Sequence, residues 1–298
     1  MFAAAHAVPW PGEIAVFRSP SSDGFELLTS FGTRARIGAL VSDFYAGPTS
    51  RFDLGNVLVV DLLSGTLESV TDLTLFGGAN SLAIESAPGA CEIVQAGAGE
   101  LVAPGRYRLT RLLRGQRGTE GAMGNPAPAG AQVVMLDDSL ASLPIAEADI
   151  SIPWNWRIGP ASRPVSDETY VAQSFAPEGV GLRPFSVAHV EQPWRKPRPA
   201  GDLTIRWTRR SRALAADSWG GLEVPLGEEI EAYEVGILDG ATVKRVLSAP
   251  PGGVGGRARS PWRSAARGRA GGHRRRDDCT AACSRTLFRA RKPAILPQ

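Results

Sequence analysis

The chain of 298 residues carries a net charge of +3 and three cysteines, so its length predicts one or two domains and its cysteines are too few for a dense disulfide framework. No apolar run approaches the ~20 residues of a membrane-spanning helix, and residues 1–8 lack the basic start and apolar middle of a signal peptide. These features argue against an integral membrane protein and a disulfide-stapled secreted domain, and they predict a chain made in a reducing cytoplasm.

Residues 1–143 are predicted to be mainly β. Short apolar or alternating runs are separated by Gly, Pro, Asp and Ser turn signals, a spacing typical of a β-sandwich or barrel. Strands alternating with helices would need apolar helical stripes, and the sequence has none. The predicted strands are 13–19, 25–31, 56–63, 81–86, 91–96 and 131–137.

Five arginines are concentrated in the segment "RYRLTRLLRGQRGTEGA", residues 106–122. Its leucines fit both a helix and a strand, and periodicity leaves the choice open. The glycines that follow predict a loop, which lacks the Lys-Ser/Thr and the helix of a phosphate-binding loop. Because the guanidinium fork pairs with carboxylates and loop carbonyls, we predict that the arginines fasten the loop. The candidate residues of this clasp are Arg111, Arg114, Arg117, Gly118 and Thr119.

Prolines punctuate residues 144–183, which are predicted to be an interdomain passage with short strands. Trp154, Trp156 and the later Trp194 allow two interpretations. An exposed platform of these rings would bind carbohydrate or a receptor, whereas packed rings would join the domains, and we favour packing.

Residues 184–249 are predicted to form a second, incomplete domain. In the strand run 201–212, Leu203, Ile205 and Trp207 share one face, and 231–249 reads as two strands around an Asp-Gly turn. A Trp strand followed by a Tyr-x-Val-x-Ile strand looks like the first half of a fibronectin type III or immunoglobulin-like sandwich, whose second half would need further strands. The core and interface candidates are Trp207, Arg209, Arg210, Arg212 and Tyr233.

Residues 250–298 are predicted to be a disordered basic tail. Residues 249–298 carry a net charge of +10, whereas the first 248 residues carry −7. One interpretation is a nucleic-acid-binding arm. We favour the other, a GC-rich gene read out of frame, because Arg, Ala, Gly and Pro dominate without any structural period. His273, Cys279 and Cys283 match no closed zinc pattern, so no metal site is predicted.

No catalytic constellation is evident in the sequence. None of the three histidines (His6, His189, His273) lies in a nucleophile-elbow context, and His189 reads as a structural residue. The adjacent carboxylates Asp137 with Asp138 and Glu228 with Glu229 are expected on solvated faces. A glycosidase needs two carboxylates facing each other across a cleft, which adjacency does not supply. No catalytic residue and no cofactor are therefore predicted.

Several motifs in order carry a family resemblance: "CEIVQAGAGELVAPGRYRLTRLLRGQRGTEGA" (91–122), "GLRPFSVAHV" (181–190) and "LTIRWTRRSR" (203–212) followed by "VPLGEEIEAYEVGILDG" (224–240). Over residues 1–249 the chain resembles the C-terminal part of the tail-tip or baseplate host-specificity protein of gene transfer agents. Family members carry a glycosidase-like TIM-barrel region upstream, to which nothing here corresponds, so the chain resembles a fragment. The family also has a more basic or His-bearing stretch where this chain reads "AMGNPAPAGA".

This resemblance implies a structural protein made in the bacterial cytoplasm and built into the tail of a phage-like particle. The implied role is particle assembly and host-cell attachment, without enzymatic activity. The implied partners are other tail or baseplate proteins, further copies of the chain in a trimer, and a host surface glycan or receptor; no specific nucleic acid is expected. The alternatives are a carbohydrate- or receptor-binding module and a fragment of a cell-wall glycoside hydrolase.

Overall fold

The computed structural model divides the chain into two units, Met1–Arg183 and Pro184–Gln298. The residues that the structure describes are 1–191, 203–212, 224, 226–227, 229–239, 242–249 and 258–260. Among the described residues of both units, strands are the main regular structure, so the prediction of a mainly β chain is confirmed.

The first unit contains twelve strands. They are β1 Phe2–Ala3, β2 Ile14–Ser19, β3 Glu26–Phe31, β4 Ile37–Leu40, β5 Leu58–Leu62, β6 Ser81–Ala87, β7 Ala90–Ala103, β8 Arg106–Leu113, β9 Gln132–Met135, β10 Ala141–Ser142, β11 Trp154–Pro160 and β12 Val171–Phe175. Its helical segments are the α-helix α1, Asp72–Phe76, and four 3₁₀ turns at Gln116–Gly118, Glu120–Ala122, Glu147–Asp149 and Val180–Leu182. Among the described residues, no helix has the length and apolar character needed to cross a bilayer.

Six strands close into an antiparallel barrel in the order β4-β5-β8-β7-β6-β9. Pairing of Ile37 in β4 with Val134 in β9 completes the circle. The strands alternate as a barrel requires: Leu58, Val60 and Leu62 of β5 point inward, while the residues between them are partly exposed. Sixteen buried residues from these strands and their loops fill one continuous core. The choice between sandwich and barrel is thus resolved for this part of the chain.

The short helix α1 lies between β5 and β6. Thr71 caps its N-terminus by accepting a hydrogen bond from the Thr74 amide (3.3 Å). Leu75 is fully buried, whereas Leu73 and Phe76 are 72% and 57% exposed. One turn of helix therefore holds two apolar side chains in solvent on the outside of the barrel unit.

A second sheet in the first unit has the strand order β12-β11-β2-β3. Its core is built on Val16, Leu143 and Trp156 with Ala3. Residues 144–183 thus supply two strands of this sheet and remain within the first unit, rather than serving as a passage between domains. The reason is the β2–β11 pairing, from Ile14↔Pro160 to Ser19↔Asn155, a long-range contact that local proline content does not reveal.

The second unit contains β13 Ala188–Glu191, β14 Leu203–Thr208, β15 Tyr233–Asp239, β16 Thr242–Ala249 and β17 Ala258–Ser260. Strands β15 and β16 pair antiparallel from Asp239↔Thr242 outward, where the Asp-Gly turn was predicted. Residues 258–260, within the predicted disordered tail, form β17 and pair with β14. The other residues of the tail lie outside the described ones, and the fibronectin-like topology stays a prediction.

Candidate functional site

The backbone of Arg111 changes which side chains of β8 face the barrel interior. Simple alternation would place Tyr107, Leu109, Arg111 and Leu113 on one face, but Arg111 has φ +56°, in the left-handed region. The alternation therefore shifts by one residue after Leu109. Leu112 is fully buried, Leu113 is partly exposed, and Arg114 follows Leu112 into the interior.

Arg114 lies in the centre of a buried charge cluster, which we define as Arg114, Asp53 and Glu92. Its Nε and Nη2 donate to the two Glu92 carboxylate oxygens at 2.8 and 2.9 Å. Its Nη1 donates to Asp53 Oδ2 (3.1 Å) and to the Tyr45 carbonyl (2.9 Å). The side chains of Arg114, Asp53 and Glu92 are 0%, 2% and 1% exposed. A charged network this deep is stable only if its members satisfy each other.

The remaining acceptor positions of the buried charge cluster are also occupied. The Gly115 amide donates to Glu92 Oε1 (3.1 Å). Asp53 Oδ1 accepts from the amides of Gly55 and Asn56, both at 3.1 Å, and Oδ2 accepts from Asn56 Nδ2 (2.7 Å). Besides arginine, Glu92 is therefore held by one backbone amide, and Asp53 by two backbone amides and the Asn56 side chain.

Packing around the buried charge cluster is close. The guanidinium carbon of Arg114 lies 3.9 Å from the centroid of the Phe44 ring, and Phe44 belongs to the barrel core. At Gly47 a Cβ atom would collide with the Asp53 carboxylate and the Arg114 guanidinium. The cluster thus covers the core where the loop 41–57 meets the ends of β7 and β8. In this arrangement Arg114 cannot reach a dissolved phosphate, and it fastens the loop.

The other predicted clasp residues lie in the turns after β8. Thr119 is buried; its Oγ1 accepts from the Ile93 amide (2.9 Å) and donates to the Gln116 carbonyl (2.8 Å). Gly118 has φ +85°, and Arg117, with φ +55°, is exposed. Thr119 therefore ties the turn to β7, while Arg117 lies outside the buried charge cluster.

Arg111 belongs to a second, partly exposed group, the aromatic patch, which we define as Phe52, Phe76, Arg111 and Asp72. Arg111 forms an ion pair with Asp72 of α1, and its guanidinium carbon lies 4.4 Å from the Phe52 ring centroid. The Phe52 and Phe76 rings are 6.2 Å apart at an angle of 37°. The patch joins the loop before β5, α1 and β8 on one surface.

Electrostatics favour the ionised form of Asp53. The largest single influence on the pKa of Asp53 is burial, which raises it. Hydrogen bonds from Asn56, Arg114 and the Gly55 amide lower the pKa and together outweigh burial. The net effect lowers the pKa of Asp53 below its ordinary value. The carboxylate is thus stabilised as an anion next to the arginine.

This lowered pKa predicts that acid destabilises the barrel through Asp53. A group with a depressed folded-state pKa contributes stability above its unfolded pKa, and that stability is lost as the pH falls through the folded value. The free energy of unfolding would be measured in urea between pH 7 and pH 3. Asp53→Asn should lower this free energy at pH 7, and the free energy of the variant should decline less steeply than that of the parent below about pH 4. Asp138 is exposed, so Asp138→Asn is the control and should leave the pH dependence of the free energy of unfolding unchanged. If Asp53→Asn also left this pH dependence unchanged, the role assigned to Asp53 would be contradicted.

In the second unit the predicted core residues pack together, and the predicted arginines contact nearby side chains. The Trp207 and Tyr233 rings pack edge to face at 5.2 Å, and with buried Val235 they make a small core. Arg209 forms an ion pair with Glu231 (3.2 Å) and donates to the Val224 carbonyl. The guanidinium carbons of Arg210 and Arg212 lie 4.7 and 4.0 Å from the centroid of the Phe185 ring. Burial and the Glu231 hydrogen bond raise the pKa of Tyr233 to about 12.

The structure does not present Trp154 and Trp156 as an exposed platform. Trp156 is 1% exposed and stacks on Phe175 at 5.0 Å, and Arg18 covers Trp154 at 4.4 Å. Both pack within the four-stranded sheet, because β11 lies between β2 and β12. Trp194 lies outside the described residues.

The residues considered for catalysis are dispersed. Asp137 accepts from the Ser139 amide (2.9 Å) and pairs with Arg36 (3.3 Å), and Asp138 is exposed. His6 is within 3.1 Å of the Ala35 carbonyl, and His189 has φ +48° beside an irregularity in the β13–β14 pairing. Within the described part of the chain no three His, Cys, Asp or Glu side chains converge as metal ligands would. Glu228, His273, Cys279 and Cys283 lie outside that part.

Comparison with known proteins identifies one similar family. Residues 35–134 match the family model described as Rcc01698-like, C-terminal, and no curated protein matches the chain. The match begins just before β4 and ends within β9, so it spans the barrel together with the buried charge cluster and the aromatic patch. Over these residues the chain is therefore similar to the Rcc01698-like C-terminal domain, a family name associated with gene transfer agent proteins.

Proposed function

We propose that this chain is a structural component of a phage-like tail tip or baseplate, of the host-specificity type found in gene transfer agents. It acts in particle assembly and host-cell attachment, and its partners are other tail proteins, further copies of itself, and a host surface glycan or receptor. The observation that carries the proposal is the coincidence of the family match at residues 35–134 with the whole barrel.

The barrel is suited to docking through its outer surface. A closed barrel has no free strand edge, so a partner has to bind side chains or loops. The buried charge cluster supports this use, because it fixes the loop 41–57, which carries Phe52, against β7 and β8. The loop is thereby ordered before any partner arrives, which reduces the entropy lost on binding.

The aromatic patch is the surface that we assign to assembly. Phe76 and the neighbouring Leu73 are largely exposed, and Arg111 holds a left-handed backbone that costs about 1–3 kcal/mol for a residue other than glycine. A contiguous apolar patch in solvent, unlike a single exposed apolar side chain, marks an interaction surface, and aromatic residues and arginine dominate the energetics of such surfaces. The ion pair with Asp72 holds Arg111 beside the rings.

Phe76→Asp tests this assignment. Placed in the chromosomal gene of a particle-producing strain, it should reduce the number of complete particles, because a buried charge at an interface hot spot costs about 2 kcal/mol or more. Particles would be counted by electron microscopy, and the chain would be sought in them by mass spectrometry. Leu63→Asp is the matched control, since Leu63 is 69% exposed and lies outside the patch.

Two results would overturn the proposal. One is normal numbers of infective or DNA-transferring particles in a strain that lacks the gene. The other is the absence of the chain from purified particles. If Phe76→Asp particles assemble normally while gene deletion abolishes them, the function stands and the aromatic patch is not the docking surface.

A further inference from the structure

The outward face of α1 presents a carboxylate and an aromatic ring one helical turn apart. Asp72 and Phe76 are four residues apart and therefore lie on the same face of the helix, and Leu73 lies beside them. Leu75, on the opposite face, is fully buried. The side chain of Asp72 is 50% exposed, and Leu73 and Phe76 are 72% and 57% exposed. An anion and apolar groups are thus offered to solvent together.

The aromatic patch already holds one arginine with groups of this kind. Arg111 pairs with Oδ1 of Asp72, and its guanidinium carbon lies 4.4 Å from the centroid of the Phe52 ring. A guanidinium bound in this way uses its edge for the carboxylate and its flat face for the ring.

Phe76 and Asp72 repeat this pair of groups next to Arg111. The Phe76 ring lies 6.2 Å from the Phe52 ring and one turn from the same carboxylate. A carboxylate has about four acceptor positions, so Asp72 can bind a second guanidinium without releasing the first. The patch therefore offers a place for an arginine from another molecule.

We propose that the aromatic patch binds an arginine of another tail protein, carried on a segment with apolar residues on either side. The guanidinium of the partner stacks on Phe76 and pairs with Asp72, and an apolar neighbour of that arginine covers Leu73. This inference rests on the proposed function, because it gives the chemistry of the partner that docks on the surface assigned to assembly.

Charge selects a cationic partner. Residues 1–183 contain 12 arginines, no lysine and 19 acidic residues, a net charge of −7. This unit therefore attracts a basic partner and repels an acidic one. An acidic partner would also have to compete with Asp72 for Arg111. Lysine fits less well than arginine, because its ammonium group is a strongly hydrated point charge with no flat face to lie on a ring.

The two binding groups are held in place before a partner arrives. The Leu75 amide donates to the Thr71 carbonyl (2.9 Å), and the Gly77 amide donates to the Leu73 carbonyl (3.0 Å). With Leu75 buried in the barrel unit, these bonds fix the face of α1 that carries Asp72 and Phe76. A fixed site loses less entropy on binding.

The test is nuclear magnetic resonance of the isotope-labelled full chain titrated with short peptides. The probe is acetyl-Leu-Arg-Leu-amide, and acetyl-Leu-Lys-Leu-amide is its matched control. The arginine peptide should shift the backbone amides of residues 72–76 and 111, with a Kd about threefold or more below that of the lysine peptide.

Four variants assign the binding to the patch. Asp72→Asn should raise the Kd of the arginine peptide about fivefold or more, and Phe76→Leu should abolish the preference for arginine over lysine. Arg111→Met should lower the Kd, because it removes the cation that shares Asp72. Glu26→Gln, which removes one exposed charge on β3 of the other sheet, should leave the Kd unchanged.

Several outcomes would overturn the inference. They are no amide shifts in α1 up to about 50 mM arginine peptide, equal affinity for the lysine peptide, and an effect of Glu26→Gln as large as that of Asp72→Asn. Tighter binding of acetyl-Leu-Glu-Leu-amide or of methyl glucoside to the same residues would also overturn it. The comparison of arginine with lysine uses the parent chain, so it decides the matter even where a variant fails to fold.

These measurements need no particle, so they separate this inference from the proposed function. If the arginine peptide fails to bind while gene deletion abolishes particles, the proposed function stands and the inference falls. If the peptide binds as expected while purified particles lack the chain, the proposed function falls, and arginine recognition by the patch stands without a role in a particle.

Discussion

Arg114→Met is expected to lower the free energy of unfolding of the first unit by about 3–5 kcal/mol, the usual cost of removing one partner from a buried ion network. Methionine fills a similar volume, but it carries no charge. Asp53 and Glu92 would then be two buried anions that have lost their shared cation. The Tyr45 carbonyl also loses its donor. Urea unfolding at pH 7, followed by circular dichroism, measures the change. For a unit of this size the melting temperature should fall by roughly 6–20 °C.

The matched control, Arg108, lies on β8, which ends one residue before Arg114. Arg108 pairs with Glu100 at 3.5 Å, and both side chains are at least half exposed, so Arg108→Ala should change stability by less than about 1 kcal/mol. A destabilisation by Arg114→Met as small as that of Arg108→Ala would contradict the central role of the buried charge cluster.

A triple variant separates the charge from the packing. Asp53→Asn and Glu92→Gln added to Arg114→Met remove both uncompensated anions while keeping the shapes of the side chains. Because the three groups form one network, the effects should be strongly non-additive, and the triple variant should be more stable than Arg114→Met alone. A triple variant less stable than the single one would show that packing, rather than charge, dominates.

Much of the β structure was predictable from alternation. Strands β2, β3, β5, β6 and β9 lie within or next to the predicted runs, and in β5 and β9 buried residues alternate with more exposed ones as predicted. Strand β4 was missed, since Ile-Gly-Ala-Leu is short and contains only two large apolar residues. The barrel closure was also hidden, because it depends on β4 pairing with the distant β9.

The site was predictable only in part. An arginine-rich strand end before glycines indicates a clasp, and the structure places Arg114 in a buried charge cluster. Its partners, however, lie 61 and 22 residues earlier in the chain, at Asp53 and Glu92. No local pattern links them. The left-handed backbone of Arg111 was equally hidden, and it decides that Arg114 faces the interior while Arg111 joins the aromatic patch.

The prolines of residues 144–183 misled the sequence interpretation for a physical reason. They lie at strand ends and in turns, as Pro160 at the end of β11 and Pro177 after β12 illustrate. Proline is tolerated there because no ladder hydrogen bond is lost. Trp154 and Trp156 lie on β11, just before Pro160, and they pack within the four-stranded sheet. Trp156 is one of the largest fully buried side chains among the described residues.

Trp156→Ala is consequently expected to destabilise the four-stranded sheet by about 3–5 kcal/mol, the usual cost of removing a buried Trp or Phe side chain. The substitution removes the stack on Phe175 and opens a cavity beside Val16 and Leu143.

Hydrogen exchange measured by mass spectrometry would locate the loss. The core of this sheet and the barrel core are separate clusters, so amides in β2, β11 and β12 should lose protection while those in β5 to β8 keep it. Val171→Ala, on the exposed edge strand, is the control and should change neither protection nor unfolding. Equal loss of protection across the barrel strands in Trp156→Ala would show instead that the sheet and the barrel unfold as one cooperative body.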